Sequence, residues 1–133
     1  MNSNRITLTA VRGSLAGKEF VFEDKTRCTL GRADDCDIQM PMDLPYPDVS
    51  RHHCMLEIDP PYVQVRDLGS RNGTFVNGTM IGQRPAHQLA EDVDLNASPP
   101  RDLREGDEIQ VGHTVLRVGV NSAEPSEARS ASL

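Results

Sequence analysis

At 133 residues the chain has room for one domain with an ordinary core. Its formal charge of −6 removes the basic face that general nucleic-acid binding needs. No run approaches the ~18 apolar residues of a membrane span, and Met1-Asn2-Ser3-Asn4-Arg5 leads into no apolar signal core. The expectation is a cytoplasmic protein that binds neither nucleic acid nor membrane.

Taken in chain order, strand-like runs fall at 5–10, 19–23, 28–30, 37–40, 54–58, 62–66, 74–76, 108–111 and 114–120. Ile6/Leu8/Ala10, Val63/Val65 and Ile109/Val111 alternate with polar neighbours, as half-buried strands do. Asn77-Gly78 and Gly112-His113 stand where tight hairpin turns are needed. No segment has a helical period. The pattern predicts an all-β chain folded as an antiparallel β-sandwich.

Two stretches break the rhythm. Residues 41–49 hold three prolines and two aspartates and read as an extended loop. Residues 86–103 form a longer one, acidic at Glu91, Asp92 and Asp94. The domain is expected over 1–120. Residues 121–133 are small, polar and poor in apolar side chains, the composition of a disordered tail.

The cations are skewed, with twelve Arg against Lys18 and Lys25. Arg suits planar, bidentate recognition of phosphate, although a GC-rich genome produces the same skew. Cys28, Cys36 and Cys54 are odd in number with no CxxC pair, so buried free thiols are expected rather than disulfides.

Three turn segments carry the chemistry: Gly31-Arg32, Ser50-Arg51-His52-His53, and the turn from Asp67 to Thr74 with Ser70-Arg71-Asn72-Gly73 at its centre. None holds an activated nucleophile. Arginines and hydroxyls presented from several loops of a β-scaffold form a pocket for a doubly charged oxyanion, and phosphate on a peptide is the obvious candidate. Gly31 is read as allowing an unusual backbone angle at the strand end.

On a strand, His52 and His53 face apart and cannot share a metal ion. His52 could pair with Cys54, but a zinc site wants three or four ligands and the other cysteines lack a familiar spacing. No metal and no cofactor are expected. Gly13 to Glu19 only faintly matches a phosphate-binding loop: it has three residues between its glycines, Glu19 in place of Ser or Thr, and no helix behind it. A hairpin turn accounts for it better. The Asn-Gly-Thr tripeptides at Asn72 and Asn77 match a glycosylation acceptor, which is idle without secretion.

Together the blocks resemble the forkhead-associated (FHA) domain family. The family's run of Gly-Arg, Ser-x-x-His, Ser-x-Asn-Gly-Thr and Asn-Gly is matched by Gly31-Arg32, Ser50 with His53, Ser70 with Asn72-Gly73-Thr74, and Asn77-Gly78. Gly17, Asp67-Leu68, the segment from Leu103 to Asp107, and Ile109 extend the match, which covers roughly residues 6–120.

The resemblance implies a sandwich of about eleven strands with recognition loops at one end. It also implies a non-catalytic module that binds phosphothreonine peptides in signalling. By position, Arg32 and Ser50 contact the phosphate, Arg51 adds a second cation, Arg71 borders the pocket and Asn72 holds the peptide main chain. Gly31, His53, Gly73 and Asn77 are implied to brace the loops. The implied partner is a phosphothreonine-containing protein, a Ser/Thr kinase or its substrate.

The stretch from Arg32 to Ser50 looks several residues longer than usual for the family, and its Asp43 and Asp48 are expected to repel acidic residues beyond the phosphothreonine. Two other readings stand beside this one. A scaffold of the same fold could bind an unphosphorylated surface, and a metal-dependent hydrolase could be built on His52, His53 and Asp48.

Overall fold

Ile6, Leu8 and Ala10 are buried on one side of the first strand, while Arg5, Thr7 and Thr9 between them stay partly open. That alternation is repeated through the computed structural model, which describes residues 4–41, 48–84 and 99–121. The strands are β1 (Arg5–Arg12), β2 (Glu19–Phe22), β3 (Thr26–Gly31), β4 (Ile38–Gln39), β5 (Cys54–Asp59), β6 (Tyr62–Asp67), β7 (Thr74–Val76), β8 (Thr79–Gly82), β9 (Arg101–Asp102), β10 (Glu108–Val111) and β11 (Thr114–Asn121).

They form a six-stranded sheet, β2-β1-β11-β10-β7-β8, and a five-stranded sheet, β4-β3-β5-β6-β9. Between the sheets lie Ile6, Leu8, Leu30, Leu56, Ile58, Val65, Val76, Ile109, Leu116 and Val118, all essentially inaccessible. Each contributes roughly 1.5–3 kcal/mol of burial. With no Trp in the chain, interlocking aliphatic side chains build this core.

The two expected hairpin turns are present. Asn77 and Gly78 both have positive φ (51° and 83°), the backbone of a two-residue type I′ turn between Val76 and Thr79. Gly112 has φ 61° in the two-residue turn between Val111 and Thr114.

Four features depart from the sequence-based expectation. Strand β8, the return arm of the Asn77-Gly78 hairpin, was not among the runs picked out by alternation. Strand β9 lies inside the expected loop 86–103 and pairs with β6 through Gln64↔Asp102 and Val65↔Arg101. A two-residue strand has no periodicity, so only its partner reveals it. Strand β4 pairs with β3 in parallel, an exception within an otherwise antiparallel fold. Strand β11 runs on through Asn121, opposite Arg5. Asp43, the acidic run at Glu91, Asp92 and Asp94, and the tail at 122–133 lie outside the described residues.

Candidate functional site

At one end of the sandwich three connections converge: the turn after β3, the segment 48–53 before β5, and the turn 68–73 between β6 and β7. Backbone hydrogen bonds join the first two like a short ladder. The amide of Arg32 donates to the Ser50 carbonyl (3.1 Å), that of Ala33 to the Arg51 carbonyl (3.0 Å), and that of His53 to the Leu30 carbonyl (2.8 Å). The approach is so close that a Cβ on Gly31 would sit 2.1 Å from the Arg51 carbonyl oxygen. Gly31 is therefore required for space. Its φ is not in the left-handed region, contrary to the reading from sequence.

The third connection is tied in by side chains. His53 is fully buried, accepts from the Ser50 amide through Nδ1 (3.1 Å) and donates from Nε2 to the Gly73 carbonyl (2.8 Å). A carbonyl can only accept, so these partners select the neutral ring with its hydrogen on Nε2. Burial pushes the His53 pKa below its ordinary value, in agreement with that assignment.

Beneath the 68–73 turn lies a buried polar web. The Asp67 carboxylate accepts from the Ser70 hydroxyl (2.5 Å), the Thr74 hydroxyl (2.6 Å) and the amides of Gly69 (2.8 Å) and Ser70 (3.0 Å). The Ser70 hydroxyl oxygen accepts from the Gly73 amide (3.0 Å). Every lone pair in use here faces a donor, which is the condition for burying a carboxylate in a β-sandwich.

On this platform the five expected contact residues come together. Arg32 is half-buried, its Nε donating to the Val49 carbonyl (2.9 Å). The Ser50 hydroxyl oxygen accepts from the Arg71 amide (2.9 Å), which leaves its own hydrogen available to a ligand. Asn72 donates from Nδ2 to the Asp48 carbonyl (3.1 Å). Arg51, Arg71 and Asn72 are exposed. Among the described residues the ion pairs join Arg27 to Glu57, His52 to Asp35, His113 to Asp48, and Arg117 to Glu108. None of these pairs engages Arg32, Arg51 or Arg71, the three cations of the loops that flank the Ser50 hydroxyl, although Arg51 is near enough to Asp35 to help hold its carboxyl down.

Of the expected bracing residues, Gly31, His53 and Gly73 are in this assembly, Gly73 with φ 95°. Asn77 is not. It sits at the far end of β7, where its side chain donates to Asp107 (3.0 Å) and accepts from the Glu108 amide (2.9 Å). One oxygen of the Asp48 carboxylate is held by His113 from the neighbouring hairpin (2.7 Å). The carboxylate expected from sequence to meet acidic peptide residues is thus engaged in a hydrogen bond within the protein.

His52 and His53 point apart, as expected. His52 lies on the surface beside Asp35 (2.9 Å), and that contact draws the Asp35 carboxyl below its ordinary pKa. The donor atoms of Asp35, Cys36 and His52 fall within 4.8 Å of one another, the one group of three potential metal ligands among the described residues. Cys54, the partner for His52 that the sequence suggests, is sealed in the core. Each member of the cluster already has a hydrogen bond, Cys36 to the Arg51 carbonyl at 3.2 Å. All three cysteines are free and buried, and burial raises the Cys28 pKa to about 12.

The residues that sequence reasoning left out of the site are Asp67, Ser70 and Thr74 as a hydrogen-bonded unit, and the Asp48–His113 pair. The first three lay within the recognised turn. The last pair is separated by 65 residues and gave no local signal.

Comparison with known proteins supplies the remaining observations. The FHA domain family model matches residues 28–98. The ABC transporter ATP-binding/permease protein Rv1747 of Mycobacterium tuberculosis is 43% identical over 58 residues, 44% of this chain and 6% of that protein. The chain spans between 2% and 16% of the length of the three curated relatives it matches. Among solved structures, an FHA domain from a structural and functional study of phosphothreonine-dependent FHA interactions superposes with a TM-score of 0.63. It is 26% identical, and the overlap covers 88% of this chain and 97% of that one. The FhaA FHA domain, complexed with the intracellular domain of Rv3910, gives 0.60 and 26% over 85% of this chain and 98% of its own.

Proposed function

The chain belongs to the FHA domain family, and from that premise we propose that its loop end binds phosphothreonine peptides and so recruits a phosphorylated partner protein. One observation carries the reading: the loops bring Arg32, Ser50, Arg51, Arg71 and Asn72 to one end, with Arg32 held by the Val49 carbonyl and the Ser50 hydroxyl by the Arg71 amide, and none of the ion pairs found among the described residues engages these arginines. Phosphothreonine brings about −1.5 to −2 charges and three acceptor oxygens. Arg32 and Ser50 take the phosphate, Arg51 supplies a second cation, Arg71 borders the pocket, and Asn72 holds the peptide main chain. The phosphothreonine-dependent interactions studied for the similar FHA domain support the ligand class.

Each charge-assisted bond contributes roughly 1.5–3 kcal/mol. After the cost of association, a dissociation constant in the micromolar range follows, on the order of −8 kcal/mol. The FHA domain is an interaction module, and we read this chain as a binding domain rather than an enzyme. The partner class we propose is a Ser/Thr kinase or its substrate, in the cytoplasm, with a binding domain that runs through Asn121 at the end of β11.

The test is calorimetry with paired peptides, phosphorylated and plain, drawn from a degenerate phosphothreonine library. Micromolar binding of the phosphorylated member alone supports the reading. Equal binding of both members transfers it to an unphosphorylated surface.

A further inference from the structure

The short segment Asp48-Val49-Ser50 holds three of the proposed contact residues with three successive groups. The Asp48 carbonyl accepts from Asn72, the Val49 carbonyl accepts from Arg32, and the Ser50 hydroxyl accepts from the Arg71 amide. What anchors the start of this segment is the Asp48 side chain, and its anchor is not in any of the recognition loops. One carboxylate oxygen accepts from the backbone amide of His113 (2.9 Å) and from its ring Nδ1 (2.7 Å). Both donors lie at the tip of the β10–β11 hairpin.

The hairpin is shaped to receive this carboxylate. A Cβ on Gly112 would stand 2.7 Å from the bound oxygen, 2.8 Å from Asp48 Cγ and 2.8 Å from a Val49 methyl. The absent side chain therefore makes room for Asp48, in addition to allowing the turn's positive φ. Asp48, Asn72, Gly73, Gly112 and His113 line one hollow of about 350 Å³, continuous with the binding loops.

We propose that His113 is a positioning residue for peptide binding: through Asp48 it sets the place of the Asn72 side chain, with Gly112 as the socket. This deepens the phosphopeptide reading and rests on it. Because a carboxylate only accepts, Nδ1 carries hydrogen in this contact, and it does so equally in the neutral and protonated rings. The clamp persists on both sides of neutrality. Its effect passes from a hairpin 65 residues away in sequence into the centre of the site.

The test has two arms. In the free protein, NMR of His113→Ala should shift the Asn72 side-chain amide and the backbone amides of 48–50, and leave those of β1 and β2 in place. Unmoved resonances at Asn72 and 48–50 overturn the inference whatever the ligand proves to be.

In calorimetry with a library-selected phosphothreonine peptide, His113→Ala should weaken binding about tenfold in the wild-type background. It should weaken it less than twofold in an Asn72→Ala background, because the residue it acts through is gone. An equal loss in both backgrounds marks a general structural effect and overturns the inference. His113→Asn, whose amide can replace the Nδ1 donor, should recover most of the affinity and serves where His113→Ala folds poorly. A His113→Asn chain with full stability and a tenfold deficit also counts against the proposal. Arg32→Ala is the control for the underlying reading: loss of binding there, with His113→Ala unchanged, refutes the clamp and leaves phosphopeptide recognition intact.

Discussion

The two ends of this sandwich are built from the same strands and differ in what is done with charge. At the end away from the loops of Arg32, Ser50 and Asn72, Lys25, Arg27, Glu57, Tyr62, Gln64 and Asp102 line a hollow of about 520 Å³. There Arg27 meets Glu57 at 3.4 Å and Gln64 meets Asp102 at 2.7 Å, so the polar groups answer one another. At the loop end the hollow beside Asp48 and Asn72 is about 350 Å³, none of the ion pairs found among the described residues engages Arg32, Arg51 or Arg71, and a buried web of His53, Asp67, Ser70 and Thr74 lies beneath them. Size does not distinguish a binding end. Unanswered charge on a fully satisfied platform does, because a rigid base holds like charges together until a ligand neutralises them.

The sharpest break in that comparison is Asp67→Ala, which removes the platform. It strips the acceptor from four donors, each worth roughly 1–3 kcal/mol when left unpaired. A loss of about 4 kcal/mol or more in chemical denaturation is expected, enough to unfold a marginal domain. An equivalent cut at the far end, Asp102→Ala, should cost less than about 1 kcal/mol.

Next comes Arg32→Ala, which should leave the platform standing and empty it of function. Binding of the phosphopeptide should fall at least a hundredfold, about 3 kcal/mol, while the melting temperature moves by only a few degrees. Ser50→Ala should weaken binding less, since a neutral donor is lost instead of a charge. Arg27→Ala at the far end should leave affinity unchanged. A large loss there would move the binding site to the other end.

A smaller effect separates the ends by pH. His53 has a folded pKa below its ordinary 6.5, so the unfolded chain takes up the proton first. The stability contributed by the neutral ring is full above that value and is lost as pH falls from there through the folded pKa. Protonation would also set an N–H on Nδ1 against the Ser50 amide. Thermal stability should therefore decline below about pH 6.5, and phosphopeptide affinity should decline with it as the phosphate loses its second charge near pH 6. Melting curves and calorimetry from pH 5 to 7.5 check both, and a flat profile for either counts against its assignment.

The mildest change is Arg51→Ala, an exposed cation at the rim. It should weaken binding several-fold and flatten the salt dependence, measured between 50 and 500 mM salt, because exposed charges are strongly screened.

Much of this was legible in the chain. Alternation at Ile6/Leu8/Ala10 and at Ile109/Val111 identified core strands, since successive strand residues face opposite ways. Asn77-Gly78 and Gly112-His113 marked their turns through backbone angles that few other pairs tolerate. The ordered blocks around Arg32, Ser50 and Asn72 named the candidate site. Strand β9 was not legible, because two exposed residues become a strand only when β6 offers its edge. The reason for Gly31 was legible only in part: a glycine was evident, but the Arg51 carbonyl that excludes a side chain is twenty residues away.

What the sequence alone determined are properties carried by neighbours in the chain: strand periodicity, turn geometry, and which residue types could bind an oxyanion. The tertiary structure alone decided which charges are neutralised. It paired Asp48 with His113 and Arg27 with Glu57, and kept Arg32, Arg51 and Arg71 out of the ion pairs found among the described residues. Charge pairing depends on distances of a few ångströms between residues far apart in sequence, and only the packing of the two sheets sets those distances.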